Sequence, residues 1–145
     1  MATHATRLTA AMLALAGLAA SAWADTLASD PGRTEYMANC ASCHGVAAKG
    51  DGPVARGLNK KPSDLTTLAR RSGGALPAQL VWEMIDGRAT VDIFTHGTRD
   101  MPVWGAEYRA MAMLQPDPAI AERPEWFVRG RIVALIDYLN RVQVK

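Results

Sequence analysis

The amino-acid sequence predicts an all-α fold of a few short helices joined by long loops. Three observations lead there. Apolar residues recur at helical spacing in at least two segments, with turn-forming residues at their ends. Runs dense in glycine and proline separate those segments. No stretch of strand length alternates apolar with polar residues, and no internal repeat is present. Such short helices and long loops make a poor self-sufficient core, and loops of this length normally argue against an assignment. They become reasonable where the loops wrap something large and apolar.

The chain has 145 residues, which favours one domain. Its first 24 residues are read as separate from that domain. Arg7 precedes the Ala-rich apolar run Leu8–Ala24, which ends in the small-x-small triplet Ala22-Trp23-Ala24. This is the build of a secretory signal peptide cleaved after Ala24. A retained anchor is the weaker reading, because the run is shorter than the roughly 20 apolar residues that span a bilayer. Residues 25–145 then form the domain, with 15 basic and 14 acidic residues. That balance points to neither nucleic acid nor an anionic membrane surface. Export would place the chain outside the cytoplasm, where a bare thiol pair tends to be oxidised.

Within the domain, "SDPGRTEYMANCASCHG" predicts a helix with Asp30 as N-cap, Pro31 at the first helical position and Gly45 at its end. Residues 46–74 ("KGDGP", "NKKPSD", "RRSGG") read as turns with one helical turn over 64–70. "LPAQLVWEMIDG" carries Leu80, Val81, Met84 and Ile85 at helical spacing and stops at Gly87. Residues 88–105 read as irregular. The stretch 107–125 reads as a polar, proline-rich connection, helical at most at its start. The last helix is the clearest, with Ile132, Leu135, Ile136, Leu139 and Val142 on one stripe.

Cys40-Ala41-Ser42-Cys43-His44 carries the chemistry. Residues at i, i+3 and i+4 share a helical face, so the two thiols and the imidazole project together. Two thiols one turn apart can add to the two vinyl groups of a haem, and C-x-x-C-H is the attachment pattern for that group. A thioredoxin-like redox pair would need a βαβ context. A structural zinc site would need four protein ligands, and only His96 offers a fourth. A disulfide here would staple a single helical turn. Covalent attachment of one haem c through Cys40 and Cys43, with His44 on the iron, is the reading that remains.

The sixth position of such an iron has several candidates. Met37 and Met84 lie at helical spacing and read as core filling. Met111 and Met113 sit in a polar stretch. Met101 precedes Pro102 in a glycine-bracketed loop, where proline stiffens the backbone that must hold the sulfur. It is the first choice, with His96 second. Trp104 reads equally as wall or as a donor to a propionate. Arg70, Arg71, Arg88 and Arg99 read as surface charges.

With these residues in view, the chain resembles a small bacterial class I (monohaem) cytochrome c over nearly all of residues 25–145. Gly32 and Tyr36 stand eight and four residues before Cys40, as in that family, and Leu135, Tyr138 and Leu139 match its "L-x-x-Y-L" pattern on the C-terminal helix. The resemblance implies that these two groups pack together. It implies that "DMPVWG" is the methionine-ligand loop, with Met101 on the iron. It implies also that Pro53, in the "GP" after the motif, accepts a hydrogen bond from the His44 imidazole. The function it implies is periplasmic one-electron transfer between a donor and an acceptor protein, not enzymatic catalysis, by a monomer or a subunit of a complex without membrane insertion. A permanently docked subunit of an oxidoreductase is the alternative. A haem enzyme or gas sensor with a labile sixth ligand is a further one.

Overall fold

The chain divides into two units, Met1–Asp30 and Pro31–Lys145; the fold below is that of the second. The structure is a computed structural model, and it describes residues 30–88 and 101–144. Among the described residues there are seven α-helices, two single 3₁₀ turns and no strand. The helices are α1 (Pro31–Asn39), α2 (Ala41–His44), α3 (Leu68–Arg71), α4 (Ala78–Asp86), α5 (Trp104–Met113), α6 (Pro118–Glu122) and α7 (Pro124–Arg141). The all-α expectation holds. None of the described helices is long and apolar enough to cross a membrane.

α7 is the organising element. Its Val128, Ile132, Leu135 and Leu139 fall at intervals of four, three and four, and the whole stripe is buried. Burying each of these side chains stabilises the fold by roughly 1.5–3 kcal/mol. Pro124 opens the helix with its fixed φ and no wasted N–H. Glu125 in the first turn and Arg141 in the last complement the helix dipole. The helix begins several residues before the predicted stripe, and Ile136 is only half-buried.

α1 packs most extensively on α7, with α5 and α4 against the same helix. The close crossing of α1 and α7 depends on Gly32, where a Cβ would overlap the Ala134 carbonyl oxygen and lie 2.9 Å from Tyr138 Cβ. Beside it the Tyr36 and Tyr138 rings meet at 5.1 Å with a 38° tilt. An ion pair between the buried Glu35 and Arg131 ties the same two helices, and the guanidinium lies over the Phe127 ring at 4.5 Å. The packing that the resemblance implied for Gly32, Tyr36, Leu135, Tyr138 and Leu139 is therefore present.

One reading of the connecting segments needs correction. The stretch expected as a polar connection holds α5 and α6. Gly105, Tyr108 and Ala112 bury one face of α5, so two small residues and one aromatic ring do the work of an aliphatic stripe. Asp117 caps α6 by accepting from the Ala119 N–H at 2.9 Å, with Pro118 next to it. By contrast the helical turn over 64–70 appears as a 3₁₀ turn (Leu65–Thr67) running into α3. Asp64 caps it through the Thr66 N–H.

The end of the chain closes over this turn. Gln143 donates to the Leu65 carbonyl and accepts from the Ala69 N–H, both at 2.8 Å, and Val144 N–H donates to the Thr66 carbonyl at 2.8 Å. Loop 58–69 is thereby held against the C-terminal end of α7.

Candidate functional site

The C-x-x-C-H motif spans a break between two helices. Tyr36 O still accepts from the Cys40 N–H at 2.8 Å, and Cys40 O accepts from the His44 N–H at 2.8 Å, but Cys40 itself belongs to neither α1 nor α2. A four-residue helix leaves its last carbonyls without internal partners. Here the following loop supplies them: Val54, Gly52 and Gly50 donate their N–H groups to Ser42, Cys43 and His44 respectively, at 2.8–3.1 Å. Gly52 is required at this wrap, since a Cβ would lie 2.7 Å from both the Ala41 oxygen and the Cys43 carbonyl carbon. Tyr36 adds a buried hydroxyl donating to Gly45 O at 2.7 Å. The motif is therefore held on a fixed scaffold.

Cys40, Cys43, His44 and Met101 all line one cavity, with Tyr36, Leu135 and Leu139 of the core at its back. Its empty space is about 1080 Å³ counting the part open to solvent. Its walls are mostly apolar. Val81, Met84 and Ile85 of α4 form one side, Met101, Pro102 and Trp104 another, and loop 58–65 a third, with Lys60 and Lys61 at the exposed rim.

His44 is buried, and its Nδ1 lies 3.1 Å from the Ser63 carbonyl oxygen. A carbonyl can only accept, so Nδ1 carries the proton and Nε2 keeps the lone pair that a metal needs. Burial pushes the imidazole pKa below its ordinary value, with the Ser63 bond opposing. The ring is thus neutral at pH 7, the ligating form. The expectation for Pro53 is corrected here. Gly52 and Val54 on either side of it turn their N–H groups to the outside of α2. Pro53 itself is exposed and stands away from the cavity. The carbonyl that orients His44 belongs to Ser63.

Neither cysteine is in a disulfide. Burial, then the neighbouring Glu35 and Cys43 charges, push the Cys40 thiol up to about 12. A redox-active C-x-x-C needs a lowered thiol pKa, so the environment opposes that use of the pair. Among the described residues no three His, Cys, Asp or Glu side chains gather as a metal cluster, which leaves a zinc site without support. What the wall does provide is an imidazole of fixed tautomer, a soft thioether and two half-buried thiols in an apolar cleft. That donor set fits a haem.

Other sequence candidates fall elsewhere. Met37 and Met111 pack on the core outside the cavity, and Met113 is exposed. Trp104 is cavity wall, its ring 5.8 Å from that of Tyr108. Arg71 donates to the Asp64 carbonyl, Arg88 pairs with Asp86, and Arg70 is exposed. His96 and Arg99 lie outside the described residues. Two site residues escaped the sequence reading. Met84 joins the wall although its spacing marked it as core. Ser63 acts through a backbone carbonyl, which leaves no side-chain signature.

Comparison with curated proteins and with solved structures finds no match. A family model does match residues 28–113, more than half of the chain, and its description is cytochrome c oxidase, cbb3-type, subunit III. The matched segment holds the C-x-x-C-H motif, the wrapping loop, α4 and Met101. With the cavity built from those same parts, the chain belongs to this family, and it is a small cytochrome c of class I type that transfers electrons through haem.

Proposed function

We propose that the protein is a periplasmic one-electron carrier, exported by residues 1–24, which are cleaved after Ala24. Cys40 and Cys43 would anchor one haem c as thioethers, and His44 and Met101 would hold its iron. The observation that carries this reading is the pairing of a His44 imidazole fixed by Ser63 with a Met101 sulfur on the wall of the same apolar cavity.

When bound, the haem supplies reversible one-electron exchange at iron, with a potential raised by His/Met ligation. The protein's residues do the rest. Ser63 holds the imidazole rotation and tautomer. Pro102 restricts the backbone beside Met101. Val81, Ile85 and Leu135 exclude water, which disfavours the additional positive charge of the oxidised state. With His44 and Met101 both holding the iron, the chain would leave no coordination site for substrate.

A permanently docked subunit is the second reading, favoured by the family description, which names an oxidase subunit. Against it, the exposed Trp126, Met113 and Leu114 stand away from the cavity, and only Val103 is an exposed large apolar side chain next to the Met101 loop among the described residues. A sensor with a labile sixth ligand gains nothing from the described wall, where Met101 is half-buried.

The deciding experiment is absorption spectroscopy of the purified oxidised protein and of Met101→Leu. The carrier reading expects a sulfur-to-iron charge-transfer band in the wild type that Met101→Leu loses, and slow carbon monoxide binding after reduction. Absence of the band, or its survival in Met101→Leu, overturns Met101 as ligand. Elution of native periplasmic protein near its monomer mass supports a free carrier, and elution within a larger complex supports the docked subunit.

A further inference from the structure

Asp86 is the last residue of α4, and its side chain has no exposure to solvent. An acid there faces the negative end of its own helix dipole, and a buried carboxylate without partners is costly. Nothing in α4 itself accounts for it. One partner, Arg88, is two residues further along, and the other comes from the far side of the segment that carries Met101. Arg109 of α5 reaches Asp86 Oδ1 at 3.3 Å while pairing with Glu125 of α7, and Arg88 pairs with Oδ2.

Two backbone approaches lie beside these pairs. Gly105, in the first turn of α5, fits against Asp86 so closely that a Cβ would overlap the carboxylate and lie 2.7 Å from the Asp86 carbonyl oxygen. Gly87 has φ +83°, and the Val103 side chain covers it, its Cβ 3.2 Å from where a Gly87 Cβ would stand. Residues 86–88 and 103–105 are therefore fastened together, and Met101 stands two residues before the second half of that fastening.

We propose that Asp86 is the positioning residue for Met101: its carboxylate, held by Arg109 and Arg88 and seated against Gly105, clasps the two ends of the methionine segment so that the sulfur stays in the cavity. The proposal rests on the reading of Met101 as the sixth ligand and goes beyond it, because Asp86 is not among the residues that line the cavity. Charge matters here as well as shape. Asp86→Asn preserves volume but loses both ion pairs.

The test uses the intact haem-loaded protein, with imidazole as a competitor for the sixth position of the oxidised iron. An external ligand binds in proportion to the fraction of molecules in which the site is open. Asp86→Asn should therefore bind imidazole about tenfold or more tightly than wild type. It should also show a weakened charge-transfer band and a lowered midpoint potential, with far-UV circular dichroism unchanged. Arg109→Gln should shift all three in the same direction, and it decides the question if Asp86→Asn does not retain haem. Asp137→Asn, which removes the exposed pair with Arg141, should leave them at wild-type values.

Wild-type imidazole affinity, band and potential in Arg109→Gln and any haem-loaded Asp86→Asn would overturn the clasp, as would an equal shift in Asp137→Asn. Failure of the underlying reading looks different: the charge-transfer band is then missing from the wild type itself.

Discussion

The Tyr36 hydroxyl tests how the structure holds the C-x-x-C-H motif. It is fully buried and donates to the Gly45 carbonyl at 2.7 Å, directly after the proposed ligand His44. Tyr36→Phe removes one oxygen and keeps the ring. Whether this costs about 1 or about 3 kcal/mol depends on the carbonyl left behind, because an orphaned buried acceptor adds its desolvation penalty to the lost bond. Gly45 O is not orphaned: it also accepts from the Ala48 N–H at 3.1 Å. The expected loss is thus the net value of one hydrogen bond, about 1 kcal/mol, or a fall in melting temperature of about 4 °C for a domain of this size. Tyr36→Leu should cost about 1 kcal/mol more, since it also loses the tilted contact with Tyr138. Guanidinium unfolding of the haem-loaded variants, followed by tryptophan fluorescence, measures both. A Tyr36→Phe loss above about 2.5 kcal/mol would show that Ala48 does not compensate. No loss at all would refute the bond.

Gly32→Ala should destabilise by about 1–3 kcal/mol in the same assay, because the new methyl meets backbone at Ala134 rather than a side chain that can move. Gln143→Ala should cost about 1–3 kcal/mol by leaving the Ala69 N–H without its acceptor, and a variant ending at Arg141 should lose at least as much. Asp64→Ala should cost about 1 kcal/mol at pH 7 by removing the cap on Leu65–Thr67. The Asp64 carboxyl is held below its ordinary pKa, first by the Thr66 hydroxyl, so its contribution is complete above the unfolded value and disappears as pH falls through the folded one. Unfolding curves of wild type and Asp64→Ala should therefore converge in acid, and a constant gap would refute the assignment.

What the sequence disclosed depended on the kind of signal each element emits. The motif at 40–44 is legible because three reactive side chains at that spacing suit few kinds of chemistry. α7 is legible because its branched aliphatic residues repeat at helical intervals. α5 is not, since its buried face pairs a single aromatic ring, Tyr108, with the small residues Gly105 and Ala112 and carries no aliphatic stripe. Pro53 illustrates a different limit. A proline after a glycine predicts a turn, and the turn exists, but its job is to carry the Gly52 and Val54 amides to the carbonyls of α2. The acceptor for His44 was bound to be missed, as any residue can offer a carbonyl. Met84 shows the converse: periodicity identified the face of α4, whereas the cavity opposite that face depends on the whole chain.

The contact of Gly32 with Ala134 has a bearing on maturation. It joins positions about a hundred residues apart, and closing so long a loop is slow relative to forming local helices. As the chain emerges, residues 31–44 therefore precede α7, the helix that packs on them. In the finished fold Cys40 and Cys43 are partly enclosed. During that interval they are not yet enclosed by α7. The sulfurs are therefore most accessible to chemistry before α7 docks.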